Sequence, residues 1–363
     1  MSYCRTSVKG LVHYDVRRAW RGLTLFTPVE DTGPWLIDMW GRPVNHWDMG
    51  YPPGCYGELL PNGHLLYAGR LPDGPLAQIE GAGGVLLEAD WQGHIVWEHR
   101  DSCLHHGFWR LKNRNTLVLR WVELPKAFAG RVPGGDPGSE HDGVMWGEAI
   151  QEIRPNGKVA WEWVAHQHLT PDTLARCPLC PRDTWLHANA VAGLPDGNIL
   201  VSFAKANTVA IIDRATGSLK WHWGDTGELA HQHAPAMLDN GNILIYDNGF
   251  HPNGMAQNYS RLLEVDPRTG KMVWSYEGPD GGTLRMLFYS SMYSNCQRLP
   301  NGDTLACEGT TGRLFEITPA GDLVWEFVNH LPACHASPAD SRSYPVYSAY
   351  RYGIDYPGLR RAG

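Results

Sequence analysis

Two short phrases alternate along most of the sequence, and they constrain the fold more than any other feature. The first phrase combines an acidic residue, a turn glycine and an apolar residue that precedes a tryptophan. Its six copies span 36–47, 86–99, 150–163, 210–223, 262–276 and 314–327. The second phrase has Asn-Gly or Asp-Gly at its turn in four of five copies, which span 57–69, 107–121, 190–203, 234–249 and 295–309. Each phrase predicts a strand, a tight turn and a second strand.

Alternating hairpins of this kind predict an all-β, six-bladed β-propeller, because two hairpins form a four-stranded sheet that radial repetition turns into a blade. The recurring tryptophans, at 47, 97, 161, 221, 274 and 325, account for much of the count of 16. The first tryptophan hairpin lacks an inner hairpin, and the tail at 343–353 has strand composition but no partner. We therefore expect the N- and C-terminal strands to pair and close the ring. Two stacked β-sandwiches are the alternative, but they do not require six similar repeats.

The ring is predicted to be a single domain over 1–363, with long loops at about 122–144 and 164–186 over one channel mouth. The net charge of -7 without a run of Lys or Arg argues against nucleic acid as a partner. No apolar stretch approaches the length of a membrane span. The first twenty residues lack the apolar core of a signal peptide, so we expect a cytoplasmic protein. The sequence does not indicate an oligomeric state.

Cysteines are scattered, apart from Cys177 and Cys180 in the phrase CPLC. In a large cytoplasmic protein most of the eight thiols are expected to be free. The CPLC pair is half of a zinc-ligand set, because two more ligands are needed. We interpret it as a loop staple or as two free thiols.

Residues that immediately precede the innermost strand of each blade are expected to meet at one mouth of the central channel. Aligning the second phrases on their turns gives a set rich in histidine: Cys55 and Tyr56, His105 and His106, His187 and Asn189, His231 and His233, and Ser294 and Asn295. Glu148, before a tryptophan hairpin, also faces this mouth in the prediction. A single histidine here is best explained as a core or capping residue. Histidines from three consecutive blades indicate a functional cluster, because imidazoles repel one another when charged and need partners when buried.

Converging imidazole and amide groups support two chemistries. One is an anion site in which donors hold sulfate or phosphate and one imidazole is the nucleophile. The other is a divalent metal site in which three imidazoles bind the ion and leave a position open. Spacing alone does not choose between them.

The stretch WLHANAV…DGNILVS…VAIIDRATGSLKWHWG, followed by QHAPAML…DNG, resembles the PAPS-independent arylsulfate sulfotransferases. The HH pair at 105–106 and the closing AYRYGIDYPGL are similar to that superfamily as well. The resemblance covers nearly the whole chain and is strongest over 184–249. It implies a six-bladed propeller that moves sulfate from one phenol ester to another phenol through a sulfated histidine.

The resemblance also implies roles for individual residues. His233 matches the nucleophile, His187 and Asn189 match the sulfate-binding pair, and His105 or His106 matches the remaining histidine. Family enzymes hold the sulfate with an arginine, but Ala204 stands at that place here, followed by Lys205. A lysine can supply a point charge but lacks the bidentate fork of arginine. The further candidates for substrate binding are Asn295, His231, Tyr56, Glu148 and Lys205.

Three hypotheses for function follow. The first is an arylsulfotransferase-like enzyme that acts on a small aromatic substrate through His233 and needs no cofactor. The second is a metal-dependent lyase, hydrolase or oxidoreductase that binds a divalent ion through His106, His187 and His233. The third is a noncatalytic propeller that binds partners, for which the channel histidines have no purpose.

Overall fold

Six antiparallel sheets are arranged as the blades of a closed propeller in the computed structural model, which describes residues 9–251, 258–331 and 344–360. In five blades the four strands follow in chain order from the channel outward. The strands of blade 2 are β5 (Pro53–Leu59), β6 (Leu65–Arg70), β7 (Gly84–Ala89) and β8 (Ile95–Arg100). Those of blade 3 are β9 (Leu104–Arg110), β10 (Thr116–Glu123), β11 (Trp146–Ile153) and β12 (Val159–Val164). The predicted six-bladed propeller is therefore confirmed.

The remaining blades repeat this order. Blade 4 consists of β13 (Ala188–Gly193), β14 (Ile199–Phe203), β15 (Thr208–Ile212) and β16 (Leu219–Trp223). Blade 5 consists of β17 (His233–Met237), β18 (Ile243–Asp247), β19 (Arg261–Asp266) and β20 (Lys271–Tyr276). Blade 6 consists of β21 (Asn295–Arg298), β22 (Thr304–Glu308), β23 (Arg313–Ile317) and β24 (Leu323–Val328), with β1 (Gly10–Tyr14) as a fifth, outer strand. The apolar cores lie within and between these blades.

Blade 1 closes the ring with strands from both ends of the chain. Its order from the channel outward is β25 (Val346–Gly353), β2 (Gly22–Pro28), β3 (Trp35–Ile37) and β4 (Pro43–His46). Closure was predicted, but the tail, described from residue 344, supplies one inner strand rather than two. The second comes from GLTLFTP at the N-terminus, which carries no turn signal. Arg351 of β25 forms a fully buried ion pair with Glu316 of blade 6.

The recurring tryptophans link each blade to the next one. In every blade one indole N–H donates to a backbone carbonyl in the outer turn of the following blade, over 2.8–3.1 Å. The donors are Trp47, Trp97, Trp163, Trp223, Trp274 and Trp325. In blades 3 and 4 the donor is the second tryptophan of the phrase, which lies on the same face of the strand as the first. The series ends where it began, since Trp325 donates to Met39 of blade 1.

The two long connections in blade 3 and before blade 4 pack against each other. They contain the short helices α1 (Lys126–Ala129) and α2 (Ala165–His168), and a third helix, α3 (Pro357–Arg360), follows β25. Arg182 of the second connection donates to the carbonyls of Val132 and Gly134 in the first, at 3.0 and 2.6 Å. The second connection leads directly into His187. No helix among the described ranges is long and apolar enough to cross a membrane.

Candidate active site

The innermost strands of five blades have a residue with positive φ, in the left-handed backbone region, within or just before their first three residues. These residues are Cys55 (φ 113°), His106 (50°), His187 (55°), His231 (57°) and Ser294 (82°). In blades 2 to 5 the strand register also shifts at this point, as in a β-bulge. A left-handed backbone conformation costs a non-glycine residue about 1–3 kcal/mol, and such residues are typically found at functional sites. It interrupts the regular alternation of side chains at the start of each inner strand.

Trp121 organises the histidines of blades 3 and 4. The His105 ring stacks on this indole, with ring centroids 3.5 Å apart. His106 meets His187 edge to face at 4.9 Å, and the His187 ring lies 5.7 Å from the indole. The sequence analysis did not identify Trp121 because it ends a strand phrase like any core residue. Three of the predicted histidines therefore share one aromatic support.

His105 and His106 form a buried pair. Their Nδ1 atoms are 2.8 Å apart, so one donates to the other. The Nε2 edge of the His106 ring packs against Gly81, where an added Cβ would lie 2.1 Å from that atom. Burial, followed by repulsion from His233, lowers the pKa of His106 to about 3. Both rings are therefore neutral at neutral pH, since burial also holds the pKa of His105 well below its usual value.

His233 begins β17 and is held through its Nδ1 atom. That nitrogen is 2.7 Å from Asn248 Oδ1 and 3.1 Å from the carbonyl oxygen of His231. The Asn248 amide is oriented in turn, because its Nδ2 donates to the carbonyls of Ser290 and Tyr293 at 2.8 and 3.2 Å. Asn248 follows a strand in the phrase DNG, and sequence analysis assigned it no role. Burial lowers the pKa of His233 to about 4.

Hydrogen bonds hold both the backbone and the ring of His187. Its backbone N–H donates to Glu148 Oε1 at 2.6 Å, and its Nδ1 lies 3.1 Å from Thr184 Oγ1. The Thr184 hydroxyl is also 3.3 Å from Asp183 Oδ1, to which it can only donate. It therefore accepts from Nδ1 of His187, and Nε2 of His187 retains its lone pair. Burial, followed by repulsion from His106, holds the pKa of His187 well below its usual value.

Glu148 lies behind His187 on β11 and is fully buried. Burial raises the pKa of its carboxyl to about 7, against the opposing effect of the backbone N–H of His187. The carboxylate oxygen Oε2 has no hydrogen-bond partner among the described residues. The structure therefore places Glu148 as a support for the His187 backbone, not on the open mouth.

A wide cavity of about 1040 Å³ fills the channel beyond the histidines. Its wall includes Gly107 and Ala234, each directly after a site histidine, and the rings of Tyr56, Phe108 and Tyr350. The Tyr56 hydroxyl donates to the Asn189 carbonyl at 3.5 Å. Tyr56 thus stands between the channel and the histidine cluster.

Comparison with known proteins decides the family. The profile described as Arylsulfotransferase (ASST) matches residues 100–330, which is well over half of the chain. The chain belongs to the arylsulfotransferase family. No curated protein matches the sequence.

Several solved structures are similar to this chain at low sequence identity. A protein of unknown function from Bacteroides caccae is 14% identical, with a TM-score of 0.57, over 91% of this chain and 98% of that one. A streptogramin B lyase is 10% identical, with a TM-score of 0.49, over 97% and 96% of the two chains. A virginiamycin B lyase from Staphylococcus aureus is 9% identical, with a TM-score of 0.46, over 91% and 90%.

Two departures of this family member from the family pattern have a structural setting. Ala204 is buried, and its N–H donates to the His187 carbonyl at 3.0 Å. The Lys205 ammonium donates to the Pro181 carbonyl at 3.0 Å and forms an ion pair with Asp183. Lys205 therefore holds the second long connection, while its charge still contributes to the lowered pKa of His187.

The predicted amides are committed to the scaffold. Asn189 is fully buried and donates to the Gln232 carbonyl at 2.9 Å, which links blades 4 and 5. Asn295 exchanges two hydrogen bonds with the backbone of Ala349, at 2.9 and 2.8 Å, and so clips β25 to blade 6. His231 faces away from His233, toward Cys180. The structure thus brings together His105, His106 and His187, and it places His233 near enough to act electrostatically on His106 and His187, whereas the other candidates surround or support them.

Proposed function

We propose that this arylsulfotransferase family member transfers the sulfuryl group of an aryl sulfate to a phenolic acceptor, with Nε2 of His233 as the nucleophile. The observation that carries the proposal is the fixed tautomer of His233. Both neighbours of Nδ1, the Asn248 side-chain oxygen and the His231 carbonyl, are acceptors. Nδ1 must therefore carry the proton, which leaves the lone pair on Nε2.

The protonation state of His233 also favours its role as the nucleophile. Because the pKa of His233 is about 4, the ring is neutral and nucleophilic at neutral pH. Attack on sulfur places positive charge on the ring, which the two acceptors on Nδ1 stabilise. The same contacts that fix the tautomer therefore also lower the barrier.

The first step forms a bond between Nε2 of His233 and sulfur. The ester S–O bond breaks, and its electron pair leaves with the donor as a phenolate. In the second step the acceptor phenol attacks the same sulfur, Nε2 of His187 takes the phenol proton, and the N–S electron pair returns to His233. The His187 proton then neutralises the released phenolate, so that the cycle balances.

In this proposal the sulfate lacks the charge that the family arginine supplies. His106 adjoins His187 at 4.9 Å, but the N–H of neutral His187 already donates to Thr184 and Nδ1 of His106 is paired with His105. The Lys205 side chain does not supply the missing charge, because Asp183 and Pro181 hold it elsewhere. We expect weak binding of the sulfate group and a preference for esters with good leaving groups.

A single-turnover reaction with 4-nitrophenyl sulfate and no acceptor tests the proposal. One nitrophenol should be released per chain, and peptide mapping should find one SO₃ group on His233. His233→Ala should reduce release on the order of a thousandfold or more. His222→Ala, on the outer strand β16, is the matched control and should behave as the parent.

Two outcomes would contradict the proposal. One is nitrophenol release from His233→Ala at the parental rate, and the other is turnover without sulfation of His233. A divalent ion that is bound to the parent and lost from the His106, His187 and His233 variants would favour the metal-dependent alternative. Those three imidazoles are not among the described groups whose ligand atoms lie within 4.8 Å of one another.

We also propose a cytoplasmic location. Six cysteines fall within the described ranges and all six are free. Free thiols in this number are typical of a reducing compartment.

A further inference from the structure

Four potential metal ligands from three separate segments meet beside the histidine mouth. Cys177 and Cys180 lie in the connection between α2 and β13, His231 precedes β17, and His251 follows β18. Their ligand atoms all lie within 4.8 Å of one another. Cys177, Cys180 and His231 are buried, and His251 is half-buried.

The separations within this Cys–His tetrad match a tetrahedral ion. Zinc bonds of about 2.3 Å to sulfur and about 2.05 Å to nitrogen imply ligand separations of about 3.4–3.8 Å. His251 Nδ1 is 3.7 Å from Cys177 Sγ and 3.9 Å from Cys180 Sγ. His231 Nε2 is closer to Cys180 Sγ, at 3.0 Å, so a small shift of these side chains would accommodate the ion.

The orientation of His231 is that of a metal ligand. Its Nδ1 lies 2.8 Å from the carbonyl oxygen of Phe250, so Nδ1 carries the proton. Nε2 therefore presents its lone pair to Cys180. A metal-bound histidine almost always donates its other N–H to a carbonyl or carboxylate in this way. His251 is held by stacking on the Phe250 ring, with centroids 3.8 Å apart.

We propose that Cys177, Cys180, His231 and His251 bind one Zn²⁺ in a closed, structural site. Two sulfur and two nitrogen ligands in a tetrahedral arrangement favour zinc among the common divalent ions. Four protein ligands leave no open position for a substrate. The CPLC pair is thus completed by two histidines that the sequence places about fifty and seventy residues away.

Each of the three segments that the zinc would join leads directly to the histidine mouth. Cys180 is followed, within the same connection, by Thr184 and His187. The His231 carbonyl accepts from His233 Nδ1 at 3.1 Å. His251 is three residues beyond Asn248, which orients the same nitrogen. The ion therefore acts as a positioning element for His187 and His233, and its ligands are not catalytic residues.

Elemental analysis of full-length protein, purified without an affinity tag or added chelator, tests the proposal. We expect about one zinc per chain in the parent. Cys180→Ser and His251→Ala should each reduce the zinc content to a small fraction. Cys103→Ser, which alters a half-buried thiol outside the tetrad, is the control and should retain zinc. His106→Ala and His233→Ala should retain it too.

A second measurement on the parent avoids dependence on variants that fold poorly. Replacement of zinc by Co²⁺ should give the thiolate-to-cobalt charge-transfer absorption of a tetrahedral site with two sulfur ligands. Alkylation of Cys177 and Cys180 should become faster after chelation, with no change at Cys103. Absence of stoichiometric zinc, a Cys177–Cys180 disulfide, or zinc that is lost from the His106 and His233 variants but kept by Cys180→Ser would each overturn the proposal.

Discussion

The buried histidines should make the stability of this protein fall as the pH drops below neutrality. His106 provides the clearest case, because it is 6% exposed and contacts other site rings. Its pKa is lowered from 6.5 to about 3 in the fold, chiefly by burial. The unfolded chain therefore binds a proton at His106 between these values whereas the folded chain does not. Stability from this residue is complete above pH 6.5 and is lost as the pH falls toward 3.

The size of the effect follows from the two pKa values. Between them, each pH unit changes the free energy of unfolding by about 1.4 kcal/mol. From about pH 7 to about pH 5 the His106 contribution is about 2 kcal/mol of lost stability. His106→Gln removes this loss, because glutamine keeps a polar side chain but does not titrate.

Urea denaturation of the parent and of His106→Gln at about pH 7 and about pH 5 measures the effect. The variant is expected to be the less stable at the higher pH, since it loses the ring contacts, but the difference should shrink by about 2 kcal/mol at the lower pH. His94→Gln, on an exposed turn, should show the same pH dependence as the parent. Equal losses in the parent and in His106→Gln would show that His106 is not held neutral by the fold.

Three further outcomes are expected. Deleting 344–363 removes β25 and leaves an open strand edge, so the truncated chain should aggregate during size-exclusion chromatography or melt far below the parent, and an unchanged melting curve would refute closure. Gly81→Ala should reduce turnover at least about tenfold because its Cβ would meet His106 Nε2 at 2.1 Å, whereas Gly93→Ala, with a similar φ of +90° and nothing within 4 Å, should lose some stability but no activity. Nitrophenol release should be independent of pH from about 8 to about 5 and should fall as His233 protonates near pH 4, and a midpoint near 6.5 would contradict its burial.

Local sequence is sufficient to predict the propeller because every repeat contains its own hairpin signals. Turn residues fix where each strand ends, and the alternation of two phrases fixes how hairpins combine into blades. The alignment of His105, His187 and His233 on these turns also predicts that they converge, since equivalent positions in a radial repeat meet at the axis. The strand β2 was missed because GLTLFTP has no turn signal, and it is specified by its pairing with β25 and β3.

Details of the site depend on contacts that link distant parts of the chain. The indole of blade 3 that donates to the next blade belongs to Trp163, although Trp161 is the tryptophan at the recurring position. Lys205 lies in a turn of 3₁₀ helix that follows β14, and there it forms an ion pair with Asp183. The residues of the repeated phrases predict neither the choice of donating tryptophan nor the ion pair of Lys205.

The sequence by itself determined the fold and the number of blades, because both repeat with the phrases. Only the tertiary structure decided the chemistry of individual nitrogens. Asn248 fixes the proton of His233 across a turn, and Phe250 fixes that of His231. Cys177 meets His251 although 74 residues separate them. The physical reason is that a tautomer or a ligand set depends on atoms within about 3–4 Å, which folding alone brings together.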